Sequence, residues 1–571
     1  MRFSVSKSAS LCWLLLLVAV HAPSAEPGYI DPARCRTCHE KIFDSYRANG
    51  MGRSFSKVEQ APALAEYFHL ASERFYAVVQ RGDTSFMRRW IAGGTHVVEK
   101  SIDFAVGSGN HSKTFFHLDA RGKLLQLPLS WYAERGGYWA MSPGYDRPDH
   151  SDFRREASDS CLFCHNGYPS EANKGLANGI DCQRCHGPGE DHVKRRGSIV
   201  NPAKLSPDRS MEVCLQCHLE SASRTLPDAI RNFDRGPFSY RPGEPLAAFI
   251  RYFQFLKIPD EDRITVNNSA YGLRQSPCFL ESGGRLQCTT CHDPHQKAGG
   301  AGAEQRYTSV CRSCHASTHE PRTQNCTNCH MQKRRTEDAV HVSMTDHRIR
   351  RQPLPGDLLA PIAERHGRHT GPVKPLYPER PAQTPEERLY LAMAQVQAGA
   401  DPQTSSAQLA AALSAVQPKS AEPYAVLGVA YRRMKRDAAA AQAFRSALRF
   451  DANHRGALVG LAEVLAGHSS EEAVAMITAA LRRLPGDPTL LNSLAVLETG
   501  RGHFDKALAL VSRAIQSNGE DPLSWLNMGV CLEAKGDLPG AAAAYRQALV
   551  LQPDLQRAQT FLNRITSPTP R

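Results

Sequence analysis

The sequence predicts a multidomain chain with two main parts: a cysteine-rich region of short helices and loops with a small antiparallel β insertion, then an all-α repeat solenoid. Three observations lead to this prediction. The pattern C-x-x-C-H occurs seven times before residue 331, short β-type segments follow its first copy, and small residues recur at a fixed period near the C-terminus. A chain of 571 residues is long enough for more than one domain.

Each C-x-x-C-H copy has the spacing of a covalent attachment site for a c-type haem. The two thiols bond to the two vinyl groups of one porphyrin, and the adjacent His binds the iron as its proximal ligand. We therefore predict seven covalently bound haems c. The predicted attachment residues are Cys35, Cys38, Cys161, Cys164, Cys182, Cys185, Cys214, Cys217, Cys288, Cys291, Cys311, Cys314, Cys326 and Cys329. The predicted proximal ligands are His39, His165, His186, His218, His292, His315 and His330.

Zinc and disulfide bonds are the alternatives for paired cysteines. Neither a zinc site nor a redox disulfide requires a His directly after each pair. Cysteines outside the motifs are Cys12, Cys278 and Cys531. We expect Cys531 to be a buried apolar side chain. For Cys278 a buried thiol, a disulfide and a thiol close to a haem all stay open.

The second axial ligand of each iron decides the chemistry, because an iron with two strong ligands transfers electrons and an open iron can bind a small molecule. His192 and His295 follow a motif too closely to fold back onto the same iron, so we expect them to bind neighbouring haems. The predicted distal ligands are His192, His295, His341, His347, His111, His150, Met51 and His319. These candidates leave open whether every iron has two protein ligands.

The N-terminus predicts export. Arg2 and Lys7 precede an apolar run over residues 11–20, and small residues follow, which is the pattern of a secretory signal peptide, predicted as residues 1–25. The run is short for a membrane span, and no other stretch of the sequence reaches about 18 apolar residues. We expect a periplasmic or secreted protein with no transmembrane segment in the mature chain.

The basic charge of the chain is concentrated in its cysteine-rich part. The formal charge is +12, whereas residues 384–571 contain 19 Lys and Arg against 17 Asp and Glu. Each haem brings two propionates, so we interpret the basic excess as their counter-charge. We expect no nucleic-acid partner, because no binding motif accompanies this charge and the chain is predicted to be exported.

The long gap after the first motif predicts the β insertion. Segments such as RFYAVVQ, SFMRRWI and THVVEKSIDF are short, rich in β-branched and aromatic residues, and separated by Gly-containing turns. We predict a heptahaem domain over residues 26–352. Residues 353–383 are rich in Pro, Gly and Arg and are predicted to be a linker.

A helical repeat is predicted after this linker. The central small residues of its copies are Ala394, Gly428, Ala462, Ala495 and Gly529, with spacings of 34, 34, 33 and 34. This is the tetratricopeptide period, in which each copy is a helical hairpin. Residues 384–571 are therefore predicted to form a tetratricopeptide solenoid that docks a protein partner on its concave face. A coincidental Ala-rich helical bundle is the alternative.

Residues 29–350 resemble the multihaem cytochromes of the cytochrome c-554 type. The resemblance rests on CRTCH followed by YRANGMGRSF, and on VGSGNH, QLPLSWYAERGGYWAMSPGYD, CQRCHGPGEDH, SPCFLESGGRLQCTTCHDPH and CTNCHMQKRRTEDAVHVSMTDHRI. It implies a periplasmic electron-transfer protein with parallel and perpendicular haem pairs, most of them with two His ligands. The chain departs from ammonifying nitrite reductases because it has no C-x-x-C-K motif, and it has Met51 where such cytochromes often carry His.

These observations predict an exported heptahaem cytochrome that passes electrons along its haems to redox partner proteins. The alternative is a multihaem oxidoreductase that acts on a small nitrogen or sulfur compound at one five-coordinate haem. The sequence identifies no catalytic residue, so whether the chain is an enzyme stays open.

Overall fold

The computed structural model describes residues 28–169, 176, 178–219, 229–257, 264–300, 302–315, 325–365 and 369–566. The predicted signal peptide and His319 lie outside these residues. In the described part of the chain, no helix is both long and apolar enough to cross a bilayer.

The predicted β insertion is present and consists of two antiparallel sheets. One sheet has the strand order β2-β3-β4-β5 and the other β1-β6-β7-β8-β9. The strands are β1 (Phe55–Lys57), β2 (Leu64–His69), β3 (Arg74–Arg81), β4 (Thr84–Ile91), β5 (Thr95–Ser101), β6 (Phe104–Val106), β7 (Ser112–Leu118), β8 (Leu124–Tyr132) and β9 (Tyr138–Met141). An isolated bridge from Leu125 to Glu156 ties the following segment to β8. We call residues 55–157 the β module.

The core of the β module lies between its two sheets. Tyr76 and Met87 from the four-stranded sheet pack with Phe115 and Leu127 from the five-stranded sheet, and all four side chains are almost fully buried. Central strand β8 is buried along nearly its whole length, which explains its run of Leu residues. This module therefore has an apolar core made only of side chains.

The motif-bearing region consists of short helices around the β module. The helices are α1 (Ala33–Arg47), α2 (Asp159–His165), α3 (Gln183–His186), α4 (Glu190–Val193), α5 (Pro207–His218), α6 (Ser269–Arg274), α7 (Pro277–Glu281), α8 (Cys288–Cys291), α9 (Ala303–Arg312) and α10 (Thr327–His330). Four short strands accompany them, namely β10 (Ala229–Arg231), β11 (Ile250–Phe255), β12 (Lys333–Arg335) and β13 (Ser343–Thr345).

A further strand lies inside the segment that the composition predicts to be a linker. Strand β14 (Val373–Tyr377) pairs with β11 in a three-stranded sheet of order β10-β11-β14, so this part is not a free tether. Val373 and Leu376 are buried. Pro375 fits because β14 is an edge strand, where a missing backbone N–H is tolerated. The Pro and Gly content therefore concealed a buried strand.

The C-terminal region is a solenoid of helical hairpins. Its helices are α11 (Pro385–Gln397), α12 (Pro402–Val416), α13 (Glu422–Arg433), α14 (Asp437–Phe450), α15 (Arg455–Leu465), α16 (Ser470–Arg483), α17 (Pro488–Gly500), α18 (Phe504–Ser517), α19 (Pro522–Ala534), α20 (Leu538–Leu551) and α21 (Gln556–Thr566). The small residues let the two helices of a repeat approach closely, because a Cβ added at Gly428 would lie 2.6 Å from the ring of Phe444, and one at Gly529 2.3 Å from the ring of Tyr545.

The first repeat is joined to the motif-bearing region by a common apolar core. Tyr390 and Met393 of α11 are buried together with Phe253 and Val373 of the three-stranded sheet. The hydroxyl of Tyr390 also accepts a hydrogen bond from the backbone N–H of Phe233 at 3.0 Å. The sequence suggests two separable domains, but the structure shows that this end of the solenoid completes the core of its neighbour.

Candidate haem-binding site

Most of the motifs lie on a single turn of helix or at a helix end. Two cysteines three positions apart share one face of a helical turn, so both thiols can point to the same group. Four helices end at the motif His, namely α2 at His165, α3 at His186, α5 at His218 and α10 at His330. The chain thus leaves the helix where the imidazole must turn toward the porphyrin face.

Three pairs of His rings lie at one common separation. The ring centres of His39 and His192 are 6.4 Å apart, and those of His186 and His295 are 6.0 Å apart. The third pair is His292 and His347, at 6.2 Å. Each pair joins a motif His to a predicted distal ligand from a different part of the sequence.

This separation fits two imidazoles on opposite sides of one metal ion. A metal–imidazole bond is about 2 Å long. The ring centre lies about 1 Å behind the bonding nitrogen, so two axial imidazoles place their ring centres about 6 Å apart. His192 follows the third motif but pairs with the first, and His295 follows the fifth motif but pairs with the third. Both therefore lie opposite a proximal His other than the one that precedes them.

Backbone carbonyls orient several of these rings. The Nδ1–H groups of His186, His330 and His347 donate to the carbonyls of Val200 at 2.8 Å, Arg350 at 2.6 Å and Thr345 at 3.0 Å. Because a carbonyl can only accept, Nδ1 carries the proton in each ring and the lone pair is on Nε2. Such hydrogen bonds fix the tautomer that binds a metal.

Burial favours the neutral form of three of the paired imidazoles. Desolvation lowers the pKa of His292 to about 4, and it also lowers the pKa of His186 and of His347. A neutral imidazole is the form that coordinates iron.

Thiols of different motifs contact one another. The thiols lie close enough to interact in four pairs, namely Cys35 with Cys182, Cys164 with Cys217, Cys214 with Cys288 and Cys311 with Cys326. The interaction with Cys182 lowers the pKa of Cys35 to about 7. Electrostatic interactions also link Cys185 with Cys217, and Cys291 with Cys311. Together these contacts connect motifs 1, 3, 4, 5, 6 and 7 in that order, and they connect motif 2 to motif 4.

Arg184, inside the third motif, provides a further test of the fit to haem. Its side chain is 2% exposed and lies 4.3 Å from the ring centre of Phe163. Among the described residues its Nε and Nη1 groups have no hydrogen-bond partner. A buried guanidinium needs an anionic partner, and a haem propionate has the required charge and oxygen acceptors. The sequence did not identify Arg184, because the middle position of C-x-x-C-H tolerates any residue and only burial makes this one significant.

The donor set also fits haem. No three His, Cys, Asp or Glu side chains of the described residues gather as a metal cluster. A haem iron takes four nitrogens from the porphyrin and only one or two ligands from the protein. Each of the three His pairs described above supplies two such ligands.

His150 has surroundings that do not suit its predicted role as a haem ligand. It is 1% exposed, its Nδ1 accepts from the backbone N–H of Asp152 at 3.1 Å, and its Nε2 lies 3.2 Å from the hydroxyl of Tyr76 and 3.3 Å from Nη1 of Arg74. Both ring nitrogens are therefore engaged inside the β module. The sequence DRPDHSDF gave no sign of this polar cluster, because its partners come from distant strands.

Three other predicted distal ligands, His341, His111 and Met51, have contacts of a different kind. His341 packs 5.0 Å from the ring of Tyr132, with Nε2 4.0 Å from a carboxylate oxygen of Asp146. His111 lies just before β7, and its backbone carbonyl accepts from Ala133. Met51 begins a 3-10 turn, and its backbone carbonyl accepts a hydrogen bond from the hydroxyl of Ser54. These contacts do not bring any of the three opposite a motif His.

Two of the three cysteines outside the motifs are described by the structure and have different surroundings, whereas Cys12 lies outside the described residues. Cys531 is 1% exposed and lies 3.3 Å from the hydroxyl of Thr499, within the core of the repeats. Cys278 is half-buried in α7, where it interacts electrostatically with Cys311.

Segments of the chain match two kinds of family model. Residues 282–320 match the doubled CXXCH motif, which supports covalently bound haem c and electron transfer. Residues 421–454 and 494–555 match tetratricopeptide repeats, which indicates interaction with proteins. The chain therefore combines haem-c attachment motifs with tetratricopeptide repeats.

Solved structures of tetratricopeptide-repeat proteins match about a third of the chain. YrrB, described as a tetratricopeptide-repeat protein with an unusual peptide-binding site, is 19% identical over 31% of this chain and 91% of its own, with a TM-score of 0.26. MamA of Desulfovibrio magneticus RS-1 is 17% identical over 30% and 96%, with a TM-score of 0.27. TTC0263 of Thermus thermophilus is 17% identical over 32% and 98%, also at 0.27. No curated protein matches the chain significantly.

Proposed function

We propose that this chain is an exported heptahaem cytochrome of the cytochrome c-554 type, which transfers electrons between redox partner proteins. The three His pairs at 6.0–6.4 Å carry the proposal. A haem iron held by two imidazoles has no open position and serves electron transfer. We propose His39 with His192, His186 with His295, and His292 with His347 as the axial ligands of the first, third and fifth haems.

The contacts between motifs support transfer from haem to haem. Thiols of the fourth motif contact the second and the fifth motif, and the third motif lies beside the first and the fourth. Since each thiol is attached to the edge of its own porphyrin, neighbouring thiols imply neighbouring porphyrin edges. We propose an electron path that runs through motifs 1, 3, 4, 5, 6 and 7, with motif 2 joined at motif 4.

The protein chain contributes ligands, orientation and counter-charge. The backbone carbonyl of Val200 fixes the tautomer of His186, and the carbonyl of Thr345 fixes that of His347. Arg184 offers two buried N–H groups to a propionate. The haems themselves supply reversible one-electron chemistry. The repeats are proposed to dock a protein partner, and residues 1–25 to direct export to the periplasm or the medium.

Intact mass and low-temperature paramagnetic resonance test this proposal. After expression with a c-type maturation system, we expect the mass of the mature chain to exceed that of the polypeptide by seven haems. We also expect at least three low-spin ferric centres. A mass excess of four haems or fewer would refute the heptahaem assignment. A dominant high-spin signal that shifts when a small nitrogen or sulfur compound is added would favour the oxidoreductase instead.

A further inference from the structure

The last repeat contacts the β module at the far end of the solenoid. The backbone carbonyl of Val550, in the last turn of α20, accepts a hydrogen bond from Nη2 of Arg89 at 2.8 Å. A carboxylate oxygen of Asp554, just after this helix, lies 3.3 Å from Nη2 of Arg74. Carbonyls in the last turn of a helix have no partner within the helix, so Arg89 supplies a donor that α20 needs.

The surface of the β module at this contact is cationic. We call Arg74, Arg89, Lys100 and Arg154 its basic face. The two buried guanidiniums share one internal carboxylate, Asp152, at 3.7 Å from Arg74 and 2.7 Å from Arg89. Arg74 and Arg89 are 2% and 1% exposed. One buried carboxylate cannot balance two buried guanidiniums, and an uncompensated buried charge is costly.

The last two repeats supply the missing negative groups. Asp554 faces Arg74, and Glu520 forms an ion pair with Lys100. The side-chain oxygen of Gln552 accepts a hydrogen bond from Arg154. Burial lowers the pKa of both Lys100 and Arg154, so their charged forms lose solvation in the folded protein. Asp152 and Asp554 oppose that shift at Arg154, and the more distant Asp119 opposes it at Lys100.

The two attachments of the solenoid differ in kind. At its first repeat the contact is an apolar core that includes Tyr390 and Phe253. Pulling this repeat away from the three-stranded sheet would expose buried hydrocarbon to water. At its last repeat the contacts named here are hydrogen bonds and ion pairs, which water or another polar partner can replace. The last repeat is therefore the end that can be displaced while the chain stays folded.

We propose that the basic face is a docking site for an acidic segment of a partner protein, and that the last repeat occupies it as a displaceable internal ligand. Charge complementarity decides the kind of partner: without the repeat, the four cationic side chains face the buried Asp152 and the more distant Asp119, so positive charge is in excess. A cavity of about 940 Å³ adjoins this contact, between Leu125 and Phe153 of the β module and Asn492 and Leu523 of the repeats. It gives an incoming segment a route along the concave side of the solenoid.

Peptide binding to the haem-loaded, full-length protein tests the proposal. The probe is a fluorescein-labelled peptide of eight glutamates, followed by fluorescence anisotropy at low ionic strength. The released variant carries Asp554→Asn and Glu520→Gln. The matched control carries Asp505→Asn and Glu472→Gln, which change the charge equally but break surface ion pairs within the repeats. We expect the released variant to bind at least tenfold more tightly than the control.

Two further measurements locate the binding. Adding Lys100→Gln and Arg154→Gln to the released variant should return its affinity to that of the control. In the wild-type protein, saturating peptide should accelerate amide hydrogen exchange in residues 538–566 and leave residues 385–416 unchanged. Equal affinity of released and control variants would overturn the proposal. So would a gain that survives the loss of Lys100 and Arg154, or wild-type exchange that the peptide does not alter.

Discussion

The repeat solenoid and the motif-bearing region of the same chain reach stability by different means. Helix α15 of the repeats buries seven of its eleven residues. Helices α8 and α10, which carry the fifth and seventh motifs, bury none. Short helices with so little buried side-chain surface cannot offset the entropy cost of ordering the backbone. The repeats therefore depend on their own side chains, and we infer that the crowded motif segment depends on the apolar faces of its porphyrins.

Preventing haem attachment should produce the largest difference in stability between the motif-bearing region and the repeats. In protein expressed without a maturation system, we expect the segment over residues 282–330 to be digested rapidly by trypsin, because its helices α8 and α10 bury no side chain. The repeats should stay protected, since residues such as Leu461 and Ile477 are buried against their neighbours. Mass spectrometry of the fragments measures this. Equal protection of both regions would contradict the inference that the motif segment needs its haems to stay folded.

Removing one distal ligand should affect one haem only. In His295→Ala we expect one low-spin centre to become high-spin, because His186 loses the imidazole whose ring centre is 6.0 Å away. The haem count by intact mass should stay the same, since attachment depends on the cysteines. His468→Ala, at an exposed position in the repeats, is the control. A paramagnetic resonance spectrum unchanged by His295→Ala would remove this ligand pair.

A core truncation in the solenoid should have the opposite signature. The ring of Phe444 is fully buried and fills the space beside Gly428 and Gly460. We expect Phe444→Ala to lower the free energy of unfolding of the repeats by about 3–5 kcal/mol. Haem spectra should not change. Leu538→Ala, at a half-exposed side chain, should cost about 0.5 kcal/mol or less. Urea unfolding followed by circular dichroism distinguishes the two variants.

The smallest expected effect concerns the start of the solenoid. Glu387 accepts hydrogen bonds from Arg380 and from the backbone N–H groups of Gln383 and Thr384, and these lower its pKa to about 2. A carboxylate whose pKa is lower in the folded state than in the unfolded state stabilises the protein at pH values above its unfolded-state pKa. This stabilisation is lost as the pH falls through the folded-state pKa. We expect Glu387→Gln to cost about 1 kcal/mol at pH 7.

The pH dependence of this variant is the sharper test. The difference in unfolding free energy between wild type and Glu387→Gln should be constant near neutral pH and shrink between about pH 5 and pH 2. Glu471→Gln, at an exposed position in the first turn of α16, should show a smaller difference throughout. A Glu387→Gln difference that does not vary with pH would contradict the assigned pKa.

Some features of the structure could not be predicted from the sequence, because they depend on contacts between residues far apart in the chain. The strand β14 was hidden by its Pro content, and its partner β11 lies more than 100 residues away in the sequence. A fragment that begins at Thr384 leaves out the sheet that covers Tyr390, so we expect the repeats to be more stable when β10, β11 and β14 are present. His150 shows the same limit, since strands β3 and β4 and a remote turn create its polar surroundings.

The sequence by itself determined the motifs, the repeat period and the β insertion, because each of these is a local pattern. Two thiols and a His within five residues suit one porphyrin, and a period of 34 residues specifies one helical hairpin after another. Only the tertiary structure decided which His lies opposite which motif, that Nε and Nη1 of Arg184 are buried without a partner among the described residues, and that the last repeat neutralises the basic face. Those properties arise from distances between residues far apart in the chain, and no spacing along the sequence encodes such distances.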